Sequence, residues 1–220
     1  MVQTLRHVIC ARLQTYPRIH RRLVYSVSNR QRVQSEPPES FLMPTFEQAG
    51  WFSEYGKDAL REYVNLTNHL SGAIVEVGCW EGNSTIALTN AAFPETVHCI
   101  DHWQGVVGGG DDMTKQILAE RDVYADFLAN MDELTHRNYE VHKADWRDVF
   151  ATWAQPIKLL HIDGSHTYEE VRDNILAALP HLVTGGIIAF DDSGYGPVND
   201  AIKDTLGELP YNGLAYYTKP

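Results

Sequence analysis

Residues 74–84, Ile-Val-Glu-Val-Gly-Cys-Trp-Glu-Gly-Asn-Ser, constrain this chain more than any other stretch. A short β-branched apolar run carries an acid at Glu76. Gly78 follows, then Gly82, then residues that favour a helix start, Ser84-Thr85-Ile86-Ala87-Leu88. That order predicts a strand, a tight turn and a helix N-terminus, the opening of a nucleotide-binding βαβ unit. Gly78 is free to take a positive φ and to let a ligand approach the backbone. Gly82 lets the turn pack against the helix start, whose free N–H groups carry a partial positive charge.

The spacing narrows the choice of nucleotide. A dinucleotide site reads G-x-G-x-x-G, whereas here the order is Glu76-x-Gly78-x-x-x-Gly82, with Trp80 in place of the middle glycine. A diphosphate would lose its close backbone approach. The form resembles motif I of the class I S-adenosylmethionine (SAM) methyltransferases, whose cofactor has no phosphate. Taken alone, the motif also leaves open another nucleotide and a plain strand-turn-helix.

The rest of the chain alternates strand and helix. Helix is expected over Glu54–Leu70, where Leu60, Tyr63, Val64, Leu66 and Leu70 are the main apolar positions. Strands are expected at Ile74–Val77, Thr96–Ile100, Tyr139–Ala144, Ile157–Ile162, Ile187–Phe190 and Leu214–Thr218. Further helices are expected over Met113–Met131, Tyr168–Leu179 and Val198–Leu206, and Pro180–Gly186 reads as a connection. This is the pattern of an α/β fold with a doubly wound, mostly parallel sheet and helices on both faces. Ligands of such sheets bind outside the carboxyl ends of the strands.

Charge divides the chain. Residues 1–35 hold seven arginines and no acid, although the net charge is −11. With the linker Ser35-Glu36-Pro37-Pro38-Glu39-Ser40 they form a basic N-terminal extension, 1–40, ahead of a domain at 41–220. The extension suits a peripheral segment, docking to a membrane surface or acidic partner, or an organelle transit peptide; it is also a candidate dimerisation element. The acidic domain argues against a nucleic-acid partner, which needs a basic face. Cys10, Cys79 and Cys99 form no metal-type or disulfide pattern, and a reducing, cytoplasmic setting is expected. Phe41–Phe52, rich in large apolar side chains, reads as core packing or as a cover for a pocket.

Candidate site residues fall at the strand ends. Asp101 lies 25 positions after Glu76, near the offset at which a carboxylate accepts from ribose hydroxyls; a cap or turn former is the alternative. His102 follows it. Gly108-Gly109-Gly110 suggests a mobile loop, and Asp111 and Asp112 suggest caps for the next helix. Asp145-Trp146 ends the third strand, where Trp146 either stacks on a base or packs at the sheet edge. Asp163, Asp191 and Asp192 end the fourth and fifth strands. Three converging carboxylates repel one another, and a hard divalent ion such as Mg²⁺ resolves this through oxygen ligation. The alternative is that these acids cap helices or turns. His166, three residues beyond Asp163, is a candidate general base or a surface histidine. The other histidines read as structural.

Four stretches together carry a specific resemblance: Glu76-Val77-Gly78-x-x-x-Gly82-Asn83-Ser84, Ile100-Asp101-His102-Trp103-Gln104-Gly105, His161-Ile162-Asp163-Gly164-Ser165-His166-Thr167-Tyr168, and Gly185-Gly186-Ile187-Ile188-Ala189-Phe190-Asp191-Asp192. Over roughly residues 70–206 they resemble the bacterial class I methyltransferases related to macrocin O-methyltransferase. The resemblance implies a Rossmann-like sheet of seven strands, one of them antiparallel, with SAM as donor. It also implies Mg²⁺-dependent O-methylation of small-molecule hydroxyls on sugars or natural products. Carried over, Glu76, Gly78 and Ser84 would line the methionine part of SAM, and Gly82 counts among the cofactor-binding residues. Asp101 would hold the ribose, Asp145 and Trp146 the adenine, and Asp163, Asp191 and Asp192 the metal; His102, just after Asp101, is expected to help shape the cofactor pocket. Asp163 and His166 would act in catalysis; in related catechol-type enzymes a lysine stands where this chain has His166. Two departures are clear: the resemblance does not reach residues 1–40, and little chain remains after Leu206 for the last strand pair. A non-catalytic SAM-binding scaffold, and a metal-dependent enzyme of another reaction class, are the alternatives.

Overall fold

The computed structural model describes residues 51–105 and 112–220. The basic extension, the linker, most of the Phe41–Phe52 segment, the triple glycine and Asp111 lie outside the described residues.

The described residues open with α1 (Glu54–Thr67). The Ser53 side chain accepts from the Gly56 N–H at 3.0 Å and sets its first turn. Leu60, Tyr63, Val64 and Thr67 are buried, the i, i+3, i+4, i+7 stripe of a helix laid on a sheet. Then come β1 (Ala73–Val77), α2 (Asn83–Ala92), β2 (Val97–Asp101), α3 (Asp112–Glu120), α4 (Val123–Leu134) and β3 (Tyr139–Lys143). They are followed by α5 (Trp146–Thr152), β4 (Ile157–Ile162), α6 (Tyr168–Ala178), β5 (Leu182–Phe190), α7 (Gly196–Leu206), β6 (Tyr211–Asn212) and β7 (Leu214–Thr218). The seven strands are ordered β3-β2-β1-β4-β5-β7-β6. β1 to β5 pair in parallel, and β7 runs antiparallel to β5. The order reverses between β1 and β4, so their carboxyl ends open the crevice where such sheets bind ligands.

The core follows the strand period. Ile74, Leu159, Ile187 and Ala189 face the layer that contains Leu60, Leu88 and Phe127. Val75, Val77, Leu160, Ile162, Ile188 and Phe190 face the layer that contains Ile175, Val198 and Ile202. Burial on both faces explains the unbroken apolar runs of the central strands.

Four expectations change. The helix expected over 113–131 is two helices: the chain breaks at Arg121-Asp122, and the Asp122 carboxylate caps α4 by accepting from Ala125 N at 3.1 Å. Asp112 lies inside α3 rather than ahead of it. A short helix, α5, follows β3 where none was expected, started by Asp145 accepting from Arg147 N at 2.8 Å. β5 begins at Leu182 rather than Ile187. Ile157 pairs with Leu182 and Leu159 with Ile187, so the strand bulges between them at Gly185, with φ +80°. The short C-terminal run suffices for two strands because β6 has only two residues and turns at Gly213, φ +80°. A Cβ at Gly213 would stand 2.5 Å from the Tyr55 carbonyl oxygen, so this hairpin seats directly on α1. The Tyr63 hydroxyl pins it further by donating to the Leu214 carbonyl at 3.0 Å. Among the described residues no helix is long and apolar enough to cross a membrane.

Candidate active site

A cavity of about 370 Å³ lies over the carboxyl ends of β1, β2, β3, β4 and β5. Gly78 forms its floor at the exit of β1. Its φ is +89°, and a Cβ there would fall 2.1 Å from the backbone oxygen of Asp163. The requirement for glycine is therefore steric as well as conformational. Gly78 N donates to the Ile100 carbonyl at 2.9 Å, and Asp163 N donates to the Val77 carbonyl at 2.8 Å. These bonds draw the ends of β1, β2 and β4 together beneath the cavity.

The turn after Gly78 is organised by Asp101. One carboxylate oxygen accepts from the N–H groups of Cys79 and Trp80, at 2.9 and 3.0 Å, and the other from Trp103 N at 2.6 Å. Asp101 lines the cavity, but it also supplies the acceptors that hold Trp80 at φ +46°. Of the two roles contrasted in the sequence, the turn former is the one these bonds show, in a side chain that also faces the cavity. The Trp103 indole N–H donates to the Trp80 carbonyl at 2.8 Å, which closes the turn from the other side.

Of the expected cofactor residues, Gly78, Ser84, Asp101, His102, Asp145 and Trp146 line the cavity. Glu76 and Gly82 do not. The Glu76 side chain is fully buried. One oxygen accepts from the Thr85 hydroxyl and the other pairs with Nδ1 of the buried His161 at 2.9 Å. Side chains alternate along β1, so Glu76 shares the face of Ile74 and points into the layer under α1 and α2. It ties β1 to α2 and β4, beneath the cavity. Gly82 caps α2 at φ +90°, with its Cβ direction facing Phe127 of α4 at 3.2 Å. Asp145 caps α5, and Trp146 lies under the Arg147 guanidinium, 4.2 Å from the ring centre. The Trp146 indole N–H reaches Glu170 at 3.4 Å.

The acids at the ends of β4 and β5 divide into two pairs. Asp163 and Asp191 influence each other, and both carboxyls are pushed above the usual range. For Asp163 burial is the main cause, followed by the negative charge of Asp191, Glu76 and Asp192. For Asp191 burial is again the main cause, and the nearby His161 opposes it. Asp192 behaves oppositely: it pairs with Nε2 of His166 at 3.0 Å, and that bond holds its carboxyl below the usual value. Asp192 has left-handed backbone, φ +46°, and stands with His166 rather than with the other two acids. The expected triad therefore does not gather three ligand atoms within 4.8 Å of one another. Among the described residues only His98, Glu140 and His142 do so.

Trp51, from the stretch expected as core packing or as a cover for a pocket, reaches the cavity wall; Trp80, Thr114, Ser165 and Glu170 were not singled out as site residues. Trp51 stacks on Trp80, with ring centres 6.2 Å apart. Both line the cavity, as do Thr114, Ser165 and Glu170. The Trp80 indole nitrogen is buried without a hydrogen-bond partner, so the wall carries an unspent donor. Trp80 occupies the middle-glycine position of the loop, and that substitution was its only sequence signal.

Comparison with known proteins agrees with this geometry. A family model described as a methyltransferase domain matches residues 75–193, from β1 to just beyond β5. No curated protein matches. Among solved structures, the O-methyltransferase NovP is similar, with 22% identity and a TM-score of 0.58, over 74% of this chain and 78% of that one. An O-methyltransferase from Bacillus cereus, solved in complex with SAH, is similar at 13% identity and a TM-score of 0.53, over 76% and 82% of the two chains. At these identities the likenesses establish the shared fold. The family match spans more than half of the sequence and contains the glycine turn, Asp101, Asp163 and the β5 acids, so the chain belongs to the methyltransferase-domain family and is a class I SAM-dependent methyltransferase.

Proposed function

We propose that this enzyme transfers the SAM methyl group to a hydroxyl of a small molecule, a sugar or natural product, in a reaction that uses Mg²⁺. The observation that carries the reading is the meeting of one cavity with two kinds of wall. The glycine turn and Asp101 form one side, and Asp163, Asp191, Asp192 and His166 form the other. The O-methyltransferase neighbours and the resemblance to the macrocin-related enzymes support oxygen as the acceptor atom. Around the site Trp51 and Tyr195 are about half exposed, and Tyr195 stands edge-on to His166 at 6.3 Å. Such aromatic surface suits a ring-bearing acceptor.

SAM would lie over Gly78 with its ribose toward Asp101 and its adenine toward Asp145 and Trp146. The indole N–H of Trp80 is a donor for a polar group of cofactor or acceptor. Asp163 and Asp191 suit a hard cation because burial and mutual repulsion disfavour their charged forms, and Mg²⁺ would neutralise them. Asp192 would complete the set after leaving His166. Bound there, Mg²⁺ would orient the acceptor and lower its hydroxyl pKa. His166, released by Asp192, would take the hydroxyl proton onto its imidazole. The remaining barrier falls through alignment of oxygen, methyl carbon and sulfur.

The test is methyl transfer from labelled SAM to a panel of sugar, phenol and polyketide alcohols, with Mg²⁺ or with EDTA, alongside calorimetric SAM binding. Transfer to oxygen that EDTA abolishes supports the reading. Transfer unaffected by EDTA removes the metal. SAM binding without transfer to any alcohol overturns O-methylation.

A further inference from the structure

A cluster outside the cavity has the geometry of a transition-metal site. His98 lies on β2, and Glu140 and His142 on the adjacent edge strand β3, where Glu140 pairs in register with His98. Glu140 and His142 are two residues apart and therefore share a face. Nδ1 of His98 and Nε2 of His142 share a hydrogen bond at 3.1 Å, whose proton a bound ion would displace. The Glu140 carboxylate sits astride them, Oε2 at 3.7 Å from His98 Nδ1 and Oε1 at 3.8 Å from His142 Nε2. Both carboxylate distances are too long for hydrogen bonds. They do suit oxygens that share a cation with the imidazoles. Ligand bonds of about 2.0–2.2 Å at tetrahedral angles put neighbouring donor atoms roughly 3.3–3.5 Å apart, in the middle of the observed range.

The surroundings favour the same reading. His98 is buried. Trp153, at the end of α5, packs edge-on against both rings, at 5.0 and 5.9 Å, and shields one side. Glu140 is well exposed and His142 partly so, which leaves an approach for the ion and for a water as fourth ligand. Two imidazoles and one carboxylate form a borderline donor set suited to Zn²⁺.

We infer that His98, Glu140 and His142 bind a zinc ion that clips the edge strand β3 to β2, apart from the active site. β3 leads directly into Ala144, Asp145 and Trp146 of the cavity wall. An ion at the clip therefore holds in place the strand that presents that wall.

The test titrates Zn²⁺ alone into chelator-stripped full-length protein, in competition with a chromophoric chelator. The background is an Asp163→Asn, Asp191→Asn variant, so that those carboxylates do not contribute. The expected result is one zinc equivalent of micromolar or tighter affinity that raises the melting temperature. His142→Ala abolishes that equivalent, and Glu140→Gln weakens it. Losing a direct ligand costs more than the ~10–100-fold that follows loss of an outer-shell partner. His142 is a strand-edge residue, and its variant is checked for an unchanged far-ultraviolet circular dichroism spectrum; His98→Gln, also checked this way, supplies the second ligand test. With Co²⁺ in place of Zn²⁺, tetrahedral d–d absorption appears in the background variant and is lost with His142→Ala. The inference is overturned if no zinc equivalent is bound, or if folded His142→Ala and His98→Gln proteins keep the same stoichiometry and affinity.

Discussion

Gly78→Ala tests the steric logic of the cofactor turn most directly. The new Cβ would stand 2.1 Å from the Asp163 backbone oxygen and 2.4 Å from its carbonyl carbon. Relief needs a displacement approaching 1 Å. Neither partner can rotate away, because both are main chain and Asp163 N is bonded to the Val77 carbonyl. The left-handed conformation at φ +89° adds about 1–2 kcal/mol for any L-residue. Crowding in a packed site adds about 1–3 kcal/mol. Together these predict a destabilisation of about 2–5 kcal/mol, and at roughly 2–4 °C per kcal/mol for a domain of this size the midpoint falls by about 4–20 °C. SAM affinity falls as well, because the strands that part are those beneath the cofactor. Urea unfolding followed by circular dichroism measures the first effect and titration calorimetry the second. Gly194→Ala is the control, since its Cβ meets nothing within 4 Å. A Gly78→Ala protein as stable as that control, with wild-type SAM affinity, would refute the reasoning.

Other expectations follow from the same geometry. Glu76→Ala strips Thr85 and His161 of a buried hydrogen-bond partner, and at about 1–3 kcal/mol for each group left unsatisfied it should cost about 2–6 kcal/mol in urea unfolding. Asp101→Ala leaves three backbone N–H groups without their acceptor, at about 1 kcal/mol each. It should weaken SAM binding in calorimetry through the disordered turn as well as through the proposed ribose contact; unchanged affinity would dismiss both roles. Asp163 and Asp191 have folded-state pKa values raised above those of the unfolded chain. Without a cation their contribution to stability therefore declines as pH rises from the unfolded carboxylate value, about 3.9, through the raised folded values. Mg²⁺ should then raise the melting temperature more at pH 8 than at pH 5, and Asp163→Asn should remove the difference; equal Mg²⁺ shifts at both pH values would contradict the assignment.

Much of the fold was legible because local chemistry and global topology agree. The apolar runs at β1, β4 and β5 are buried on both faces, and only a central parallel sheet needs such runs. Errors fell where one side chain overrides a periodic pattern. Asp122 splits an otherwise continuous helical stretch by capping α4. Gly185 bulges a strand whose turn-like residues, Thr184-Gly185-Gly186, read as a connection. α5 was missed because it is only seven residues long, with its start concealed in Asp145. At the site, types were easier to infer than partners. Residues at the carboxyl ends of strands must meet in a doubly wound sheet, which is why Asp101, Asp145, Asp163, Asp191 and Asp192 all reach the cavity.

By itself, then, the sequence determined the α/β class, the glycine turn and the set of polar residues gathered at the strand ends, because strand period, glycine φ and parallel topology are local or nearly local constraints. Only the tertiary structure decided which way each group points and what it holds. Glu76 turns under the cavity to Thr85 and His161, Asp192 leaves the other acids for His166, and Asp101 spends its oxygens on the turn. It also decided that His98 and His142, 44 residues apart, stand 3.1 Å from each other. These outcomes depend on strand register and on competition among distant partners for the same buried donors and acceptors, which no spacing along the chain encodes.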